Sequence, residues 1–294
     1  MGTFVQDGHP PPPTGVVVNP RHRLSRGLIL LWTMNQISGR RIFDASGNGN
    51  DGILDPTDID PPEILFGRED GVSTRPWSSP QLLSTSGGNN ERIPVSIPRR
   101  PRLIGPNHTF VLRVFPRAIL GFHGIWGKHT GSSGFLFFQS ADEFQVFHNG
   151  SIVIASAGFF NHFIWVHIGV VFRDGLVTLY KNGVKLSDAS GLSPMVDNTK
   201  DLLLGAQNDV SGRQFIGNYR EVMIFNRSLS ALEINELYQD PFGLFWDPGP
   251  IPVRFKPVVV PVIPALIQKL SRGPVSTNIY VRTTTAGSRP ARTI

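Results

Sequence analysis

Short apolar runs separated by Gly, Asn, Asp and Ser recur along the middle of the chain. Runs of this length, bounded by turn-forming residues, are typical of β-strands. The pattern predicts strands at 28–34, 109–115, 124–128, 134–140, 143–149, 151–156, 201–207 and 219–226. The stretch between the first and second of these strands, up to about residue 105, is rich in Pro, Gly and Ser and is predicted to be loop.

Two further patterns add a hairpin and a helix to this set of strands. Alternating residues over 163–183 predict a hairpin that turns at Asp174-Gly175, and Asn182-Gly183 supplies the next turn. The segment 228–238 has a helical pattern, in which Ser230 and Glu233 have the spacing of a capping box. The chain is therefore predicted to be an all-β sandwich with one short C-terminal helix.

Composition agrees with a turn-rich sandwich and narrows the chemistry. The 294 residues include 31 Gly, 25 Pro and 20 Phe, and there is no Cys, which excludes disulfides, thiolate catalysis and Cys-ligated zinc. The most apolar stretch, 256–270, is interrupted by three prolines and does not read as a membrane span. Since no signal peptide or lipid anchor is apparent, we expect cytoplasmic synthesis and no membrane partner.

The net charge of +6 is concentrated in the two ends of the chain. Residues 247–294 hold seven Lys or Arg against one Asp, and residues 1–27 hold three Arg against one Asp. We therefore predict a Pro-rich N-terminal arm over 1–27, a folded domain over 28–246 and a Pro-rich basic arm over 247–294. Because the charges are sparse and aromatics are few, docking on protein neighbours is favoured over nucleic-acid binding.

Three segments resemble the laminin-G-like, concanavalin A-like lectin/glucanase jelly roll. They are FDASGNGNDG (43–52), WVHIGVVFRDGLVTLYKNGV (165–184) and YREVMIFNRSLSALEINELY (219–238). The resemblance covers about 28–240 and implies a jelly-roll β-sandwich. More loosely, the Pro-rich start and the PFGLFW segment are similar to domains of tailed-phage structural proteins.

The turn DASGNGNDGILD has oxygen-bearing side chains at the alternating positions Asp44, Ser46, Asn48 and Asn50, with Asp55 as a closing carboxylate. Oxygens converging from a short backbone arc are what calcium requires. The alternative is a tight turn in which the same side chains satisfy backbone groups. This alternative is favoured because flanking helices are absent and because Arg220 stands where some members of the resembled family have an acid that helps hold calcium.

Other candidate sites are few. Trp77, Phe122 and His123 are predicted to lie in loops and are the favoured ligand contacts. A second group of aromatics is predicted to be sandwich core in preference to a sugar-stacking platform. This group contains Trp126, Phe135, Phe137, Phe138, Phe144, Phe147, Phe159, Phe160 and Trp165.

Nothing in the sequence has the arrangement of a catalytic pair. Asp142 and Glu143 are adjacent, so a strand would point them to opposite faces, while Asp58 and Asp60 lie in a Pro-bounded loop. His162 and His167 are five residues apart, which is wrong for a helical zinc pair. We therefore expect no enzyme and no cofactor apart from the calcium alternative.

These observations favour a virion structural protein, a capsid decoration or tail-associated subunit. Its jelly roll would be displayed outward while both arms dock on other virion subunits in a multi-copy assembly. The alternative is a carbohydrate-binding module that recognises a surface glycan, and a glycan-active enzyme is the third possibility.

Overall fold

A computed structural model of the chain describes residues 9, 12–34, 41–54, 82–84, 95–97, 103, 105–119, 121–207, 213 and 215–246. About half of these residues are in short strands. In chain order they are β1 (Leu28–Trp32), β2 (Arg41–Ile42), β3 (Gly52–Leu54), β4 (Leu82–Ser84), β5 (Val95–Ile97), β6 (His108–Pro116), β7 (Phe122–Thr130), β8 (Ser133–Ser140), β9 (Glu143–His148), β10 (Ser151–Ser156), β11 (Val166–Arg173), β12 (Leu176–Lys181), β13 (Val184–Ser190), β14 (Leu202–Leu204) and β15 (Gly217–Phe225).

The strands form two antiparallel sheets, which confirms the jelly-roll-like all-β prediction. The first sheet has the order β1-β15-β6-β11-β12-β13, and β4 also pairs with β15. We call it the helix-covered sheet. The second sheet has the order β10-β9-β8-β7-β14-β5-β3-β2. Strands distant in sequence are therefore neighbours in both sheets, as jelly-roll connections require.

The long strands lie where the apolar runs predicted them, and the hairpin turns at Asp174 and Gly175 as expected. The prediction that the region up to residue 105 is only loop was wrong, because β3, β4 and β5 lie in it. Each of these has three residues and pairs with strands far away in the chain. Segments this short carry no recognisable alternation, so tertiary pairing decides their conformation.

The main core lies between the two sheets and is rich in aromatic rings. Alternate residues of each long strand point into it, as the period of a strand requires. Phe110 packs at its centre, and its ring centroid lies 4.3 Å from that of Phe135 and 5.5 Å from that of Trp126. With no disulfide, this close packing is the main source of stability.

A second apolar layer covers the other side of the helix-covered sheet. It contains α1 (Ala231–Gln239), whose Ile234 and Leu237 are buried against this face. Ser230 caps the helix, and the expected capping box with Glu233 is present. Among the described residues, no helix is long and apolar enough to cross a membrane.

Residues 12–27, predicted as part of an extended arm, also pack on this sheet. Leu24 and Val18 are buried in the second layer, and the Asn19 amide donates to the Leu244 carbonyl at 2.9 Å. The folded unit therefore begins before residue 28, because two apolar side chains anchor a Pro-containing segment that has no strand pattern of its own. The segment 247–294 lies outside the described residues.

Candidate functional site

The outward side of the second sheet is the candidate site, because no described helix or strand lies across it. Its character is set by β7, β8 and β9, whose outward positions alternate with the core positions. We call these outward residues the open face. They are Phe122, Leu136, Phe138, Glu143, Gln145 and Phe147.

Alternation along β8 and β9 divides the aromatic residues between the two faces of the sheet. Phe135, Phe137 and Phe144 are fully buried in the core. Phe138 and Phe147, one position removed from core residues, are half-buried on the open face. The prediction that the whole aromatic group is core was therefore wrong for these two rings, which the alternation of FLFFQ and EFQVF could have separated. It was also wrong for Trp165, which is half-buried beside Phe115 and belongs to neither apolar cluster.

The two outward phenylalanines stand diagonally across adjacent strands. Phe138 is opposite Gln145, and Phe147 is opposite Leu136. Diagonal neighbours of this kind are about 7 to 8 Å apart and lie within reach of aromatic side chains. The two rings therefore lie on the same surface, one on β8 and the other on β9.

Polar groups border these rings. The Gln145 amide donates a hydrogen bond to the Glu143 carboxylate two residues earlier on the same face. On β7, the buried His129 ring meets Phe147 edge to face, with centroids 4.9 Å apart and planes at 83°. The histidine holds the phenylalanine ring in one orientation, while the carboxylate and amide offer hydrogen-bond acceptors and a donor to a bound molecule.

Two glycines of β7 allow close packing against their neighbours. Leu136 lies over Gly127, where an added Cβ would come within 2.8 Å of its side chain. At Gly124 a Cβ would come within 2.7 Å of the backbone of Ala206 and Gln207. Neither position has room for a side chain, because the Leu136 side chain fills the space at Gly127 and the backbone of 206–207 fills it at Gly124.

The predicted ligand residues are placed in part. Phe122 and His123 are the first two residues of β7. The prediction that they lie in a loop was therefore wrong. Phe122 is 53% exposed on the open face, with the Arg213 guanidinium 5.7 Å from its ring centroid. The His123 side chain is half-buried and points to the side of the sheet that faces the core. Trp77 lies outside the described residues.

The predicted calcium loop forms a tight turn between β2 and β3. Asp44 is buried, and its carboxylate accepts hydrogen bonds from the backbone amides of Leu31 and Asn50 at 3.0 and 2.9 Å. The Ser46 amide and hydroxyl also donate to it. N–H and O–H donors thus occupy both carboxylate oxygens, which does not fit a cation ligand.

The remaining members of the predicted loop are also engaged within the protein. The Asn50 side-chain amide donates to the Ile29 carbonyl at 2.7 Å, and the Asn48 amide donates to the Leu28 carbonyl at 3.0 Å. Asp55 lies outside the described residues. In the described part of the chain, no group of three or more His, Asp or Glu side chains is arranged to hold a metal. The geometry of Asp44 to Asn50 favours the turn alternative.

Arg220, which replaces an acid of the resembled family, lies beside a buried ion pair. Glu221 is fully buried and its carboxylate is 2.7 Å from the Arg113 guanidinium, while Arg220 lies 3.7 Å from the other oxygen. Arg113 also donates to the Tyr238 carbonyl at 2.9 Å. The cluster joins β6, β15 and α1, and the Glu221 carboxylate is engaged within it.

His167, the histidine of the Trp-x-His segment, lies beneath α1 in the same region. Its ring centroid is 5.5 Å from that of Tyr238, and the side chain is buried. Burial and the nearby Arg113 charge hold the pKa of His167 well below its usual range, so the ring is neutral. His167 is therefore a buried, neutral residue of β11.

The candidate acids do not form a pair. Asp142 lies in the turn between β8 and β9, where its carboxylate accepts from the Gly158 amide at 3.2 Å. Glu143 is on the open face, and the described residues beside it there are Ser140 and Gln145. Asp58 and Asp60 lie outside the described residues.

Comparison with known proteins identifies similar folds. Residues 105–235 match the model of the Concanavalin A-like lectin/glucanases superfamily. The binding domain of Paraclostridial Mosquitocidal Protein 1 superposes with a TM-score of 0.52 at 18% identity, over 74% of this chain and 52% of that chain. This likeness supports the fold alone.

Two other solved structures are more distant. Trypanosoma rangeli sialidase in complex with 2,3-difluorosialic acid gives a TM-score of 0.49 at 14% identity, over 72% of this chain and 32% of that chain. The CBM40 of Ruminococcus gnavus IT-sialidase, bound to α2,3-sialyllactose, gives 0.41 at 9% identity, over 45% and 83%. The chain thus spans about half of the mosquitocidal binding domain and about a third of the sialidase. No curated protein sequence matches it.

Proposed function

We propose that this concanavalin A-like domain is a carbohydrate-binding module without catalysis and that its ligand lies on the open face. The observation that carries the proposal is the outward pair Phe138 and Phe147, bordered by Glu143 and Gln145. The apolar face of a sugar ring packs on an aromatic ring, while its hydroxyls need donors and acceptors at the edge. The open face offers both kinds of contact.

The absence of catalysis is part of the proposal and rests on the acids. Most glycosidases use two carboxylates about 5 to 10 Å apart across the scissile bond. Glu143 is hydrogen-bonded to an amide, and Asp142 is held in a turn by the Gly158 backbone. Neither is placed to act with the other on a ligand that lies over the two rings.

The test is binding of neutral oligosaccharides to the wild-type chain and to Phe138→Ala and Phe147→Ala, by glycan array and then by titration calorimetry. We expect each substitution to weaken binding about tenfold, since loss of one aromatic contact removes about 1 kcal/mol or more. Phe163→Ala is the matched control, because Phe163 is 64% exposed in the loop before β11, away from the open face.

Equal loss in the control and the open-face variants would contradict the proposal, as would undiminished binding by both open-face variants. Time-dependent cleavage of a bound glycan, lost in Glu143→Gln, would show an enzyme in place of a binding module.

We propose further that the module is a virion subunit, a capsid decoration or tail-associated protein, that docks on other subunits through its arms. The composition of 247–294, rich in Pro and with sparse Lys and Arg, supports this placement, because it suits docking on protein neighbours. Residues 12–27 pack on their own domain, so less of the N-terminal arm is left to dock on other subunits than the sequence predicts.

A further inference from the structure

An open cleft of about 850 Å³ lies on the helix-covered side of the domain, away from the open face. Its walls are the segment before β1, the turn after β15 and the first turn of α1. Four arginines line it, together with one histidine and one carboxylate. These residues are Arg21, His22, Arg23, Arg26, Arg227 and Glu233.

The backbone that carries the arginines is held firmly. Leu24 is 1% exposed in the second apolar layer, and its amide donates to the His22 ring at 3.2 Å. The Arg227 side chain donates to the Arg26 carbonyl at 2.8 Å, which ties the two walls together. The cleft is therefore formed before any ligand binds.

Only two of the four arginines are neutralised within the described part of the protein. Arg227 pairs with Glu233 at 2.8 Å, and Arg23 pairs with Glu236. Burial alone would raise the pKa of Glu233, but hydrogen bonds from Arg227 and Ser230 outweigh it and lower the pKa to about 2, so this partner is always ionised near neutral pH. Burial and the Arg23 charge lower the pKa of His22. The His22 ring is therefore neutral near neutral pH and needs no carboxylate partner.

Arg21 and Arg26 have no carboxylate partner among the residues that the structure describes. Both are exposed at the mouth of the cleft, so their guanidinium groups are available to a ligand. A guanidinium presents donors in a planar fork that matches phosphate and sulfate oxygens. The surplus positive charge of the cleft therefore has the chemistry of an oxyanion site.

We propose that this cleft binds a phosphate or sulfate monoester group. A monoester exposes three terminal oxygens to several arginines at once, which suits a compact cleft. Nucleic acid fits less well, because its recognition needs a row of cations and aromatic stacking surfaces, and no Phe, Tyr or Trp of the described residues lines the cleft. The site is separate from the open face, and either can exist without the other.

The experiment is titration calorimetry of the full chain at low salt with inorganic phosphate, a hexose 6-phosphate, the unmodified hexose and a short DNA duplex. We expect the hexose 6-phosphate to bind and the unmodified hexose not to bind at this cleft. The double variant R21Q/R26Q should weaken binding at least about tenfold, since two charge-assisted contacts are lost. Arg117→Gln, another exposed arginine, is the matched control and should change affinity less than about twofold.

Four outcomes would overturn the proposal. They are no binding of any monoester, equal loss in the control and the double variant, tighter binding of DNA than of the hexose phosphate, and inorganic phosphate binding as tightly as the hexose phosphate. The third would assign the cleft to nucleic acid, and the fourth to the free ion. Thermal melting of each variant checks that the substitutions leave the fold intact, since all three side chains are exposed.

Discussion

Asp44 holds together the turn between β2 and β3 through hydrogen bonds to two backbone amides and to Ser46. Replacing it with Ala leaves the Leu31 and Asn50 amides without partners in a buried place. We expect Asp44→Ala to lower the free energy of unfolding by about 2 to 4 kcal/mol, measured by urea denaturation. Asp188→Ala, which removes an exposed carboxylate paired with Lys185, should cost less than about 1 kcal/mol.

The same variant separates the turn from the calcium alternative. If the carboxylate serves the backbone, EDTA leaves the melting temperature of the wild-type chain unchanged. A tight calcium site would instead add about 2.7 kcal/mol at a hundredfold excess of calcium over Kd. A chelator-sensitive melting temperature, lost in Asp44→Ala, would restore the metal site.

His167 makes stability depend on pH. Its pKa in the folded chain lies well below the ordinary value of 6.5, so the unfolded chain binds a proton that the folded chain does not. Stability is therefore full above pH 6.5 and falls as the pH drops below it, by about 1.4 kcal/mol per pH unit for one such group. Burial is the main cause of the lowered pKa and the Arg113 charge is the second, while the Tyr238 ring packs against the histidine.

We expect His167→Gln to flatten this part of the dependence of unfolding free energy on pH between about 7.5 and about 5.5. His162→Gln is the control, because His162 is exposed and should leave the slope unchanged. His108, His148 and His22 also have lowered pKa values and contribute to what remains of the slope. An unchanged slope in His167→Gln would show that the pKa of His167 is the same in the folded and the unfolded chain, which would contradict this prediction.

Among the elements, α1 depends on its first turn. The Ser230 hydroxyl accepts a hydrogen bond from the Glu233 amide, and the Ser230 backbone amide donates one to the Glu233 carboxylate. Ser230→Ala should lower the free energy of unfolding by about 1 kcal/mol in chemical denaturation, the usual effect of losing such a cap. Ser132→Ala, which changes an exposed serine in the turn between β7 and β8, should have no measurable effect, and equal losses in the two variants would argue against the capping role.

The elements show how far sequence alone could predict this fold. Alternation and turn residues predicted the hairpin of β11 and β12, and the spacing of Ser230 and Glu233 predicted α1. The same alternation places Phe138 and Phe147 on the outward side of the sheet, but as aromatic residues they were predicted to be core. The short β3 and β5 could not be predicted, because each is made by pairing with a distant strand. The arginine cleft joins 21–27 to 226–227, a proximity that no local pattern encodes.

For the whole molecule, the boundary at residue 246 gives a direct prediction. Deleting 247–294 should leave a soluble domain that unfolds cooperatively and no longer joins an assembly, as judged by thermal melting and co-sedimentation with its particle. Deleting 241–294 should destabilise it strongly, because Phe242 and Leu244 are buried and each contributes about 2 kcal/mol. An insoluble 1–246 chain would place part of the tail in the core.

The position of β15 sets the order of events when the chain is made. This late strand lies between β1 and β6, so the helix-covered sheet lacks its central member until residue 225 has been synthesised. At roughly 5 to 20 residues per second, the unpaired edge of β1 stays available to other chains for roughly 10 to 40 seconds and that of β6 for roughly 5 to 20 seconds. The nascent chain is therefore a natural client for chaperones, and ribosome-bound chains ending before residue 217 should be protease-sensitive.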